Sequence, residues 1–126
     1  MTHEKDLYTE PRFNGFVGMP AALYLDEFAR HVQSVFNTDV YLVGSALEHK
    51  NWHDLDIRVI LSDERFAEFG KPQDRFLNGK WIALCLAFSA LGEKMIGATI
   101  DFQIEQQTYA DTHCKGARLV IGRDRV

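Results

Sequence analysis

The residues best suited to chemistry in this sequence are three aspartates on two predicted β-strands. Asp54 and Asp56 begin a segment rich in β-branched residues, and Asp101 lies in a later segment that alternates polar and apolar residues. Because successive side chains of a strand point to opposite faces, the polar residues of each segment share one face. If the two strands are neighbours, the three carboxylates gather on one side of a sheet.

Such a cluster would be a site for divalent metal ions. Closely placed carboxylates raise one another's pKa and are costly unless a cation lies among them. Hard oxygen ligands suit Mg²⁺ or Mn²⁺, which keep water ligands and also bind substrate phosphates. Two such ions serve phosphoryl transfer, one by lowering the pKa of an attacking hydroxyl and the other by neutralising a departing pyrophosphate. A lone Asp-x-Asp is more often a solvated strand face, so neighbouring motifs matter.

A second set of candidate residues would bind phosphate. Gly44 and Ser45 follow a short predicted strand, where a glycine lets the backbone approach a phosphate and a serine offers its hydroxyl and amide. Arg58 lies on the carboxylate face, where it would either contact a substrate phosphate or neutralise the aspartates. Lys50, in the following loop, could touch a phosphate, although a loop lysine is usually only solvated.

These motifs, taken in order, resemble those of the DNA polymerase β nucleotidyltransferase superfamily, particularly its minimal members. The family pattern is a hydrophobic residue with Gly and Ser, a variable loop, an acidic pair separated by one hydrophobic residue, and a third acidic residue on a later strand. It is matched here by Val43-Gly44-Ser45, Asp54-Leu55-Asp56-Ile57 and Ile100-Asp101-Phe102. The resemblance covers roughly residues 40–105, which is most of the chain.

The resemblance implies a role for each matched residue. Gly44 and Ser45 would hold the triphosphate of a nucleoside triphosphate such as ATP. Asp54 and Asp56 would coordinate both metal ions, and Asp101 would bind the catalytic ion and help to activate an acceptor hydroxyl. The implied activity is transfer of a nucleoside monophosphate to that hydroxyl with release of pyrophosphate. The acceptor can be a protein side chain, an RNA end or a small molecule.

Two other interpretations stay open at this point. A catalytically inactive nucleotide-binding or interaction module, such as an antitoxin-like partner, would bind without turnover, and the short loop at residues 46–53 favours it. A metal-dependent phosphoesterase would use the same carboxylates with water as the acceptor. The net charge of −4 argues against a nuclease and against a broad basic surface for duplex DNA.

Length and composition fit one domain over residues 1–126, of which residues 1–18 are predicted to form an irregular arm. The 126 residues are 46% hydrophobic, enough for a core without disulfides, and Cys85 and Cys114 are expected to be reduced because they lie far apart without a CxxC motif. No segment approaches about 20 apolar residues, and the N-terminus lacks a signal-peptide core. We therefore expect a cytoplasmic protein without membrane contacts.

The remaining pattern predicts an α/β (α+β) fold with a small mixed sheet and helices packed mainly on one face, as in nucleotidyltransferases. Helices are predicted at Pro20–Asn37, Ser62–Phe69 and Lys80–Lys94, and strands at Val40–Val43, Asp54–Leu61, Thr99–Glu105 and Arg118–Ile121. A homodimer contact or a partner protein could cover the open sheet face.

Two apolar stripes are predicted to attach the long helices to the core. They consist of Leu23, Phe28, Val32, Val35 and Phe36 in the first helix, and of Trp81, Leu84, Cys85, Phe88 and Leu91 in a strongly buried later helix.

Overall fold

The structure, a computed structural model, describes residues 15–122. Along the chain the helices are α1 (Ala21–Phe36), α2 (Asp63–Phe66), α3 (Gly79–Ile96) and α4 (Gln107–His113), and the strands are β1 (Val40–Val43), β2 (Asp54–Leu61), β3 (Thr99–Gln106) and β4 (Arg118–Ile121). Short 3₁₀ segments lie at Gly44–Leu47, Ala67–Phe69 and Pro72–Leu77.

The four strands form one mixed sheet in the order β3-β2-β1-β4. Strand β1 runs antiparallel to both β2 and β4, whereas β2 and β3 are parallel neighbours. The predicted mixed sheet is confirmed. The two aspartate-bearing strands are neighbours, which is the condition under which their carboxylates share one side of the sheet. The chain between β2 and β3 includes α3, as expected for the crossover that a parallel pair requires.

One face of the sheet carries the hydrophobic core. Residues at alternate positions of β2 and β3 are fully or almost fully buried there, including Leu55, Ile57 and Phe102. The Phe102 ring packs between two helix residues, with its centroid 6.1 Å from that of Phe36 in α1 and 5.1 Å from that of Phe88 in α3. The apolar face therefore joins both long helices to the sheet.

The predicted apolar stripe of α1 is partly wrong. Phe28, Val32 and Phe36 are buried as expected, but Leu23 and Val35 are 58% and 62% exposed. The helix instead buries the stripe Leu25, Phe28, Ala29, Val32 and Phe36, which follows the i, i+3, i+4, i+7 spacing. Leu23 lies on the side opposite to Leu25, because two positions along an α-helix correspond to a rotation of about 200°.

Helix α3 is less buried than predicted. Trp81 and Cys85 are buried, but Leu84 and Phe88 are only partly so and Leu91 is 41% exposed. Only one side of the helix contacts the sheet and α1, which leaves the other apolar side chains at the surface. The helix extends two residues beyond Lys94 and ends at Gly97, which has a left-handed conformation.

Side chains of α3 hydrogen-bond the outer edge of β3. Trp81 Nε1 donates to the Ile104 carbonyl at 2.9 Å. The Phe102 amide donates to Ser89 Oγ at 3.0 Å, and the Ile100 amide donates to Glu93 Oε2 at 3.2 Å. Because exposed edge groups recruit further strands, these contacts close one edge of the sheet.

The chain after β3 contains α4, a helix that the sequence pattern did not predict. Its start is held against α2 by Asp63, which accepts hydrogen bonds from the Thr108 amide at 3.0 Å and the Thr108 hydroxyl at 2.6 Å. Those bonds lower the pKa of Asp63. Residues 15–18 of the predicted arm contain no helix or strand, and the rest of the arm lies outside the described residues.

None of the helices in residues 15–122 has both the length and the hydropathy needed to cross a bilayer.

Candidate functional site

A pair of half-buried carboxylates stands at the centre of the polar face of the sheet. Asp56 of β2 lies directly opposite Asp101 of β3 in the parallel register, which puts both side chains on the same face of neighbouring strands about 4.8 Å apart. The pKa of Asp56 is raised, chiefly by burial and also by the charges of Asp101 and Asp54 and a side-chain hydrogen bond with Asp101, while Arg58 opposes the rise. The pair is an electrostatically unfavourable site that a cation would relieve.

Arg58 neutralises part of this charge. Its Nη1 donates to the main-chain carbonyls of Ile57 at 3.0 Å and Asp101 at 2.7 Å, and its Nη2 lies 3.2 Å from Asp101 Oδ2. Gln103 Nε2 also donates to Asp101 Oδ1, at 3.2 Å. Of the two roles that the sequence left open for Arg58, neutralisation of an aspartate matches these contacts.

Gly44 is packed directly against Asp56. Its φ of +82° favours glycine, and a Cβ built at this position would overlap Oδ2 of Asp56. Val43, the preceding residue, is the β1 partner of Asp56 in the antiparallel register. The backbone conformation and the lack of space for a Cβ atom therefore both favour glycine at position 44, where the chain leaves β1 beside Asp56.

Ser45, Asp54 and Lys50 are the remaining predicted site residues. Ser45 belongs to the 3₁₀ segment after Gly44, and its carbonyl accepts hydrogen bonds from the amides of Glu48 and His49. The predicted loop at residues 46–53 thus begins in helical conformation. Lys50 is exposed in the rest of that loop, and Asp54 is exposed at the start of β2, opposite Thr99. Direct contacts or strand register join Gly44, Asp56, Arg58 and Asp101, and the charge of Asp54 also acts on Asp56.

The donor set fits a divalent ion bound jointly with a substrate. The part of the chain that the structure describes has no group of three or more His, Cys, Asp or Glu side chains placed to hold a metal ion. Mg²⁺, however, is commonly held by one or two carboxylates together with waters and substrate phosphates. Asp56 and Asp101 supply two carboxylates of that kind, and Asp54 stands on the same face two residues away.

A second ionic group, which was not among the predicted site residues, lies further along β3. Glu105 and Arg75 are only 4% and 8% exposed, and Arg75 Nη2 lies 3.7 Å from Glu105 Oε1. On its other side, Glu105 Oε2 lies 3.9 Å from Arg58 Nε. Burial raises the pKa of Glu105, against the opposing effect of the two arginines. The alternation of β3 placed Glu105 on the carboxylate face, but nothing in the sequence indicated Arg75 as its neighbour.

Hydrogen bonding in this group is incomplete. Within residues 15–122, Glu105 Oε1 and Arg75 Nε are buried atoms without a hydrogen-bond partner. A buried polar atom left unpaired typically costs about 1–3 kcal/mol, so native proteins rarely keep one without a reason. Arg75 gains compensation from its contacts with aromatic rings, with its guanidinium carbon 4.7 Å from the Phe76 centroid and 5.0 Å from that of Tyr109. Glu105 is compensated by charge, because Arg75 Nη2 lies 3.7 Å from its Oε1 and Arg58 Nε lies 3.9 Å from its Oε2.

A cavity of about 230 Å³ adjoins the carboxylate pair and includes Glu105 in its wall. It lies between the polar face of the sheet and the segment from α4 to β4. Its lining is Val43, Gly44, Arg58, Ile60, Glu105, Ala110, Cys114, Gly116, Ala117 and Arg118. Arg118 was also missed from the sequence, because its relation to the site depends on β4 pairing with β1 rather than with β3.

Comparison with known proteins adds no relative: no protein-family model matches this chain, and no curated protein or solved structure matches it.

Proposed function

We propose that this protein is a metal-dependent nucleotidyltransferase, which moves a nucleoside monophosphate from a nucleoside triphosphate to a hydroxyl acceptor and releases pyrophosphate. The observation that carries the proposal is the pairing of Asp56 with Asp101 on parallel strands, with Gly44 packed against Asp56. The order of these residues along the chain also resembles the DNA polymerase β superfamily. The proposal includes a cytoplasmic location, which suits the free thiols Cys85 and Cys114.

In this proposal, separate residues of the chain bind the triphosphate, remove the proton of the acceptor and hold the metal ions. The backbone of Gly44 and the amide and hydroxyl of Ser45 bind the triphosphate. Asp101 faces the acceptor and assists removal of its hydroxyl proton. Arg58 fixes the orientation of Asp101 through one hydrogen bond to its carboxylate and one to its main-chain carbonyl. Asp56 and Asp101, with Asp54 beside them, would hold Mg²⁺ or Mn²⁺. The bound ions, two in the proposed site, would lower the pKa of the attacking hydroxyl and neutralise the leaving pyrophosphate.

The proposal is tested by turnover of labelled nucleoside triphosphates. Wild-type protein would be incubated with each of ATP, GTP, CTP and UTP in Mg²⁺ or Mn²⁺, with protein, RNA and small-molecule acceptors. Pyrophosphate release and label transfer would be followed together. We expect metal-dependent turnover that falls by about 100-fold or more in Asp56→Asn and Asp101→Asn, as when groups that stabilise a transition state are removed.

A matched control for these variants is Asp74→Asn. Asp74 is exposed in the 3₁₀ segment Pro72–Leu77, so the same change of charge and size is made away from the sheet. Its activity should equal that of the wild type. Release of nucleotide to water without label transfer would replace the transferase by a phosphoesterase, and turnover that survives both Asp→Asn changes would reject the proposed site.

The Arg58 contact favours a second candidate, a nucleotide-binding module without catalysis. A guanidinium 3.2 Å from Asp101 occupies one carboxylate oxygen that a catalytic ion would need. On this alternative, nucleotides bind but no pyrophosphate is released under any metal condition. Arg58→Gln separates the two candidates, because freeing Asp101 should strengthen metal binding in a module but impair turnover in an enzyme whose Asp101 depends on Arg58 for its orientation.

A further inference from the structure

A row of side chains crosses the polar face of the sheet from one edge strand to the other. Arg118 of β4 lies opposite Val43 of β1, and Val43 lies opposite Asp56 of β2. Asp56 in turn lies opposite Asp101 of β3. Residues directly opposite each other on neighbouring strands point to the same face of a sheet. The row therefore has a cation at one end and two carboxylates at the other, with the apolar side chain of Val43 between them.

The space over the middle of this row is the cavity of about 230 Å³. Val43, Gly44 and Arg118 all line it, and Gly44 also packs against Asp56. The backbone of Arg118 lies two strands, or about 9.6 Å, from that of Asp56, because neighbouring strands are about 4.8 Å apart. A single phosphate is too short to meet both ends of the row, whereas a chain of phosphates can lie along it.

Two of the three charged residues in the cavity wall are neutralised within the protein. Glu105 is only 4% exposed, and its two carboxylate oxygens lie 3.7 Å from Arg75 Nη2 and 3.9 Å from Arg58 Nε. Arg58 is also paired with Asp101, at 3.2 Å. The negative charge of Glu105 is therefore offset by two arginines, and the remaining charge of the wall is that of Arg118.

Arg118 has a partner that a ligand can replace. Its Nη2 lies 3.2 Å from Asp111 Oδ1 and 3.4 Å from the Cys114 carbonyl. The Asp111 side chain is 56% exposed, and an ion pair at the surface contributes little because water solvates both charges. A phosphate accepts two parallel hydrogen bonds from a guanidinium, which is a stronger arrangement. A phosphate in the cavity would therefore compete well with Asp111 for Arg118.

We infer that Arg118 binds the terminal phosphate of the nucleoside triphosphate and holds the pyrophosphate as it leaves. The inference rests on the proposed function for the identification of the ligand. In the transfer, the acceptor oxygen forms a bond to the α-phosphorus, and its proton passes to Asp101. The bond from that phosphorus to the oxygen bridging to the β-phosphate breaks, and its electron pair leaves with the pyrophosphate. The departing negative charge thus lies at the Arg118 end of the row.

The test is a calorimetric titration of inorganic pyrophosphate into the full chain in the presence of Mg²⁺. We expect Arg118→Gln to weaken pyrophosphate binding by about tenfold or more, because hydrogen bonds between charged groups are lost. Arg118→Lys, which keeps the charge but not the paired donors, should lose less. Unchanged binding in folded Arg118→Gln protein, or no binding of pyrophosphate by the wild type, would overturn the inference.

Arg30→Gln is the matched control. Arg30 also lies 3.2 Å from an aspartate, Asp26, but it belongs to α1, which packs on the apolar face of the sheet. The same change of charge is therefore made away from the cavity, and this variant should bind pyrophosphate like the wild type. An equal loss in Arg30→Gln would show that only the net charge of the protein matters and would reject a site at Arg118.

Asp111→Asn tests the exchange of partners at Arg118. Removing the competing carboxylate should tighten pyrophosphate binding by about threefold, the size of effect that a surface ion pair has. The same change made in Arg118→Gln protein should have no effect, because no guanidinium is left to release. An equal gain in both proteins would mean that Asp111 acts only through its charge and would contradict the exchange.

Failure of this inference can be distinguished from failure of the transferase proposal. Metal-dependent turnover with a KM for nucleoside triphosphate that Arg118→Gln leaves unchanged would reject the role of Arg118 and leave the transferase intact. Pyrophosphate binding that depends on Arg118, without turnover of any nucleoside triphosphate, would support the phosphate site and reject the transferase.

Discussion

The two faces of the parallel pair β2–β3 differ in how completely their side chains are satisfied. On one face Leu55, Ile57 and Phe102 are buried against α1 and α3, with aromatic rings in contact. On the other face Asp56 and Asp101 lie opposite each other. The same backbone thus carries a packed core on one side and, on the other, a carboxylate at Asp56 whose charged form is disfavoured by burial. Packing is concentrated on one face, and the candidate site lies on the other.

The largest effect should come from truncating the packed face. We expect Phe102→Ala to lower the free energy of unfolding by about 3–5 kcal/mol, because the ring is fully buried and in contact with two others. Gln103→Ala, at the next position of β3 but on the polar face, should cost no more than about 1 kcal/mol. Denaturant unfolding of both variants gives the comparison, and similar losses would mean that the polar face is also part of the core.

A smaller effect is expected at Gly44, where the polar face meets the backbone. Gly44→Ala combines a left-handed φ with overlap against Asp56, whereas Gly97→Ala has φ +80° and nothing within 4 Å of its Cβ. The Gly97 change should cost about 1–2 kcal/mol for the backbone alone, and the Gly44 change more than that. Gly44→Ala should also lose metal-dependent turnover. Equal costs in chemical denaturation would show that the contact with Asp56 has no energetic consequence.

A loss of roughly 1 kcal/mol is expected at the edge of β3. Ser89→Ala leaves the Phe102 amide without its acceptor, and an unpaired amide at a part-buried site costs about 1–3 kcal/mol unless water replaces the partner. The measurements are the free energy of unfolding and the hydrogen-exchange rate of the Phe102 amide. Ser62→Ala, which removes the α2 cap instead, should leave that amide protected. An unchanged exchange rate in Ser89→Ala would contradict the edge contact.

The smallest effect concerns the pH dependence of stability. Burial raises the pKa of Asp56, so between its unfolded and folded pKa values the folded chain binds more protons than the unfolded chain. The contribution of Asp56 to stability therefore falls as pH rises through that interval, and the penalty persists at neutral pH. We expect Asp56→Asn to raise the thermal unfolding midpoint at pH 7 and to show no such gain at acid pH, where wild-type Asp56 is protonated.

Asp63→Asn is the matched control for the direction of this change in the thermal unfolding midpoint. Hydrogen bonds from Thr108 lower the pKa of Asp63, so its contribution to stability is present above the unfolded pKa and is lost as pH falls through the folded value. The variant should therefore be less stable than the wild type at pH 7. If the two substitutions change the unfolding midpoint in the same direction, the assignment of Asp56 as an unfavourable charge is wrong.

The sequence predicted the strands well because alternation is a local signal. Strands β1, β2 and β4 have the predicted bounds, and β3 is one residue longer. Because β2 and β3 are neighbours, the alternation of each strand is enough to place Asp56 and Asp101 on the same face of the sheet. Burial along the helices was harder to predict, because exposed Leu23 and Val35 have the same residue type as core residues and differ only in angle around α1.

The parts of the candidate site that were missed depend on contacts between distant segments. Arg75 reaches Glu105 from a 3₁₀ segment 30 positions earlier, and Arg118 approaches the cavity because β4 pairs with β1. Helix α4 begins directly after β3 without a distinct boundary residue, and its first turn is held by Asp63 from another element. Local periodicity carries no information on such pairings.

The hydrogen bonds between α3 and the edge of β3 fix the register of the helix along the strand. Four helical residues advance about 6.0 Å and two strand residues about 6.6 Å, a mismatch of only about 0.6 Å. The acceptors Ser89 and Glu93, four residues apart, therefore meet alternate amides of β3, those of Phe102 and Ile100. Asp101 sits between those two amides. A shift of the helix along the strand would have to be by a whole step to restore these hydrogen bonds. The contacts at the edge of β3 therefore fix the position of the proposed acceptor-activating carboxylate.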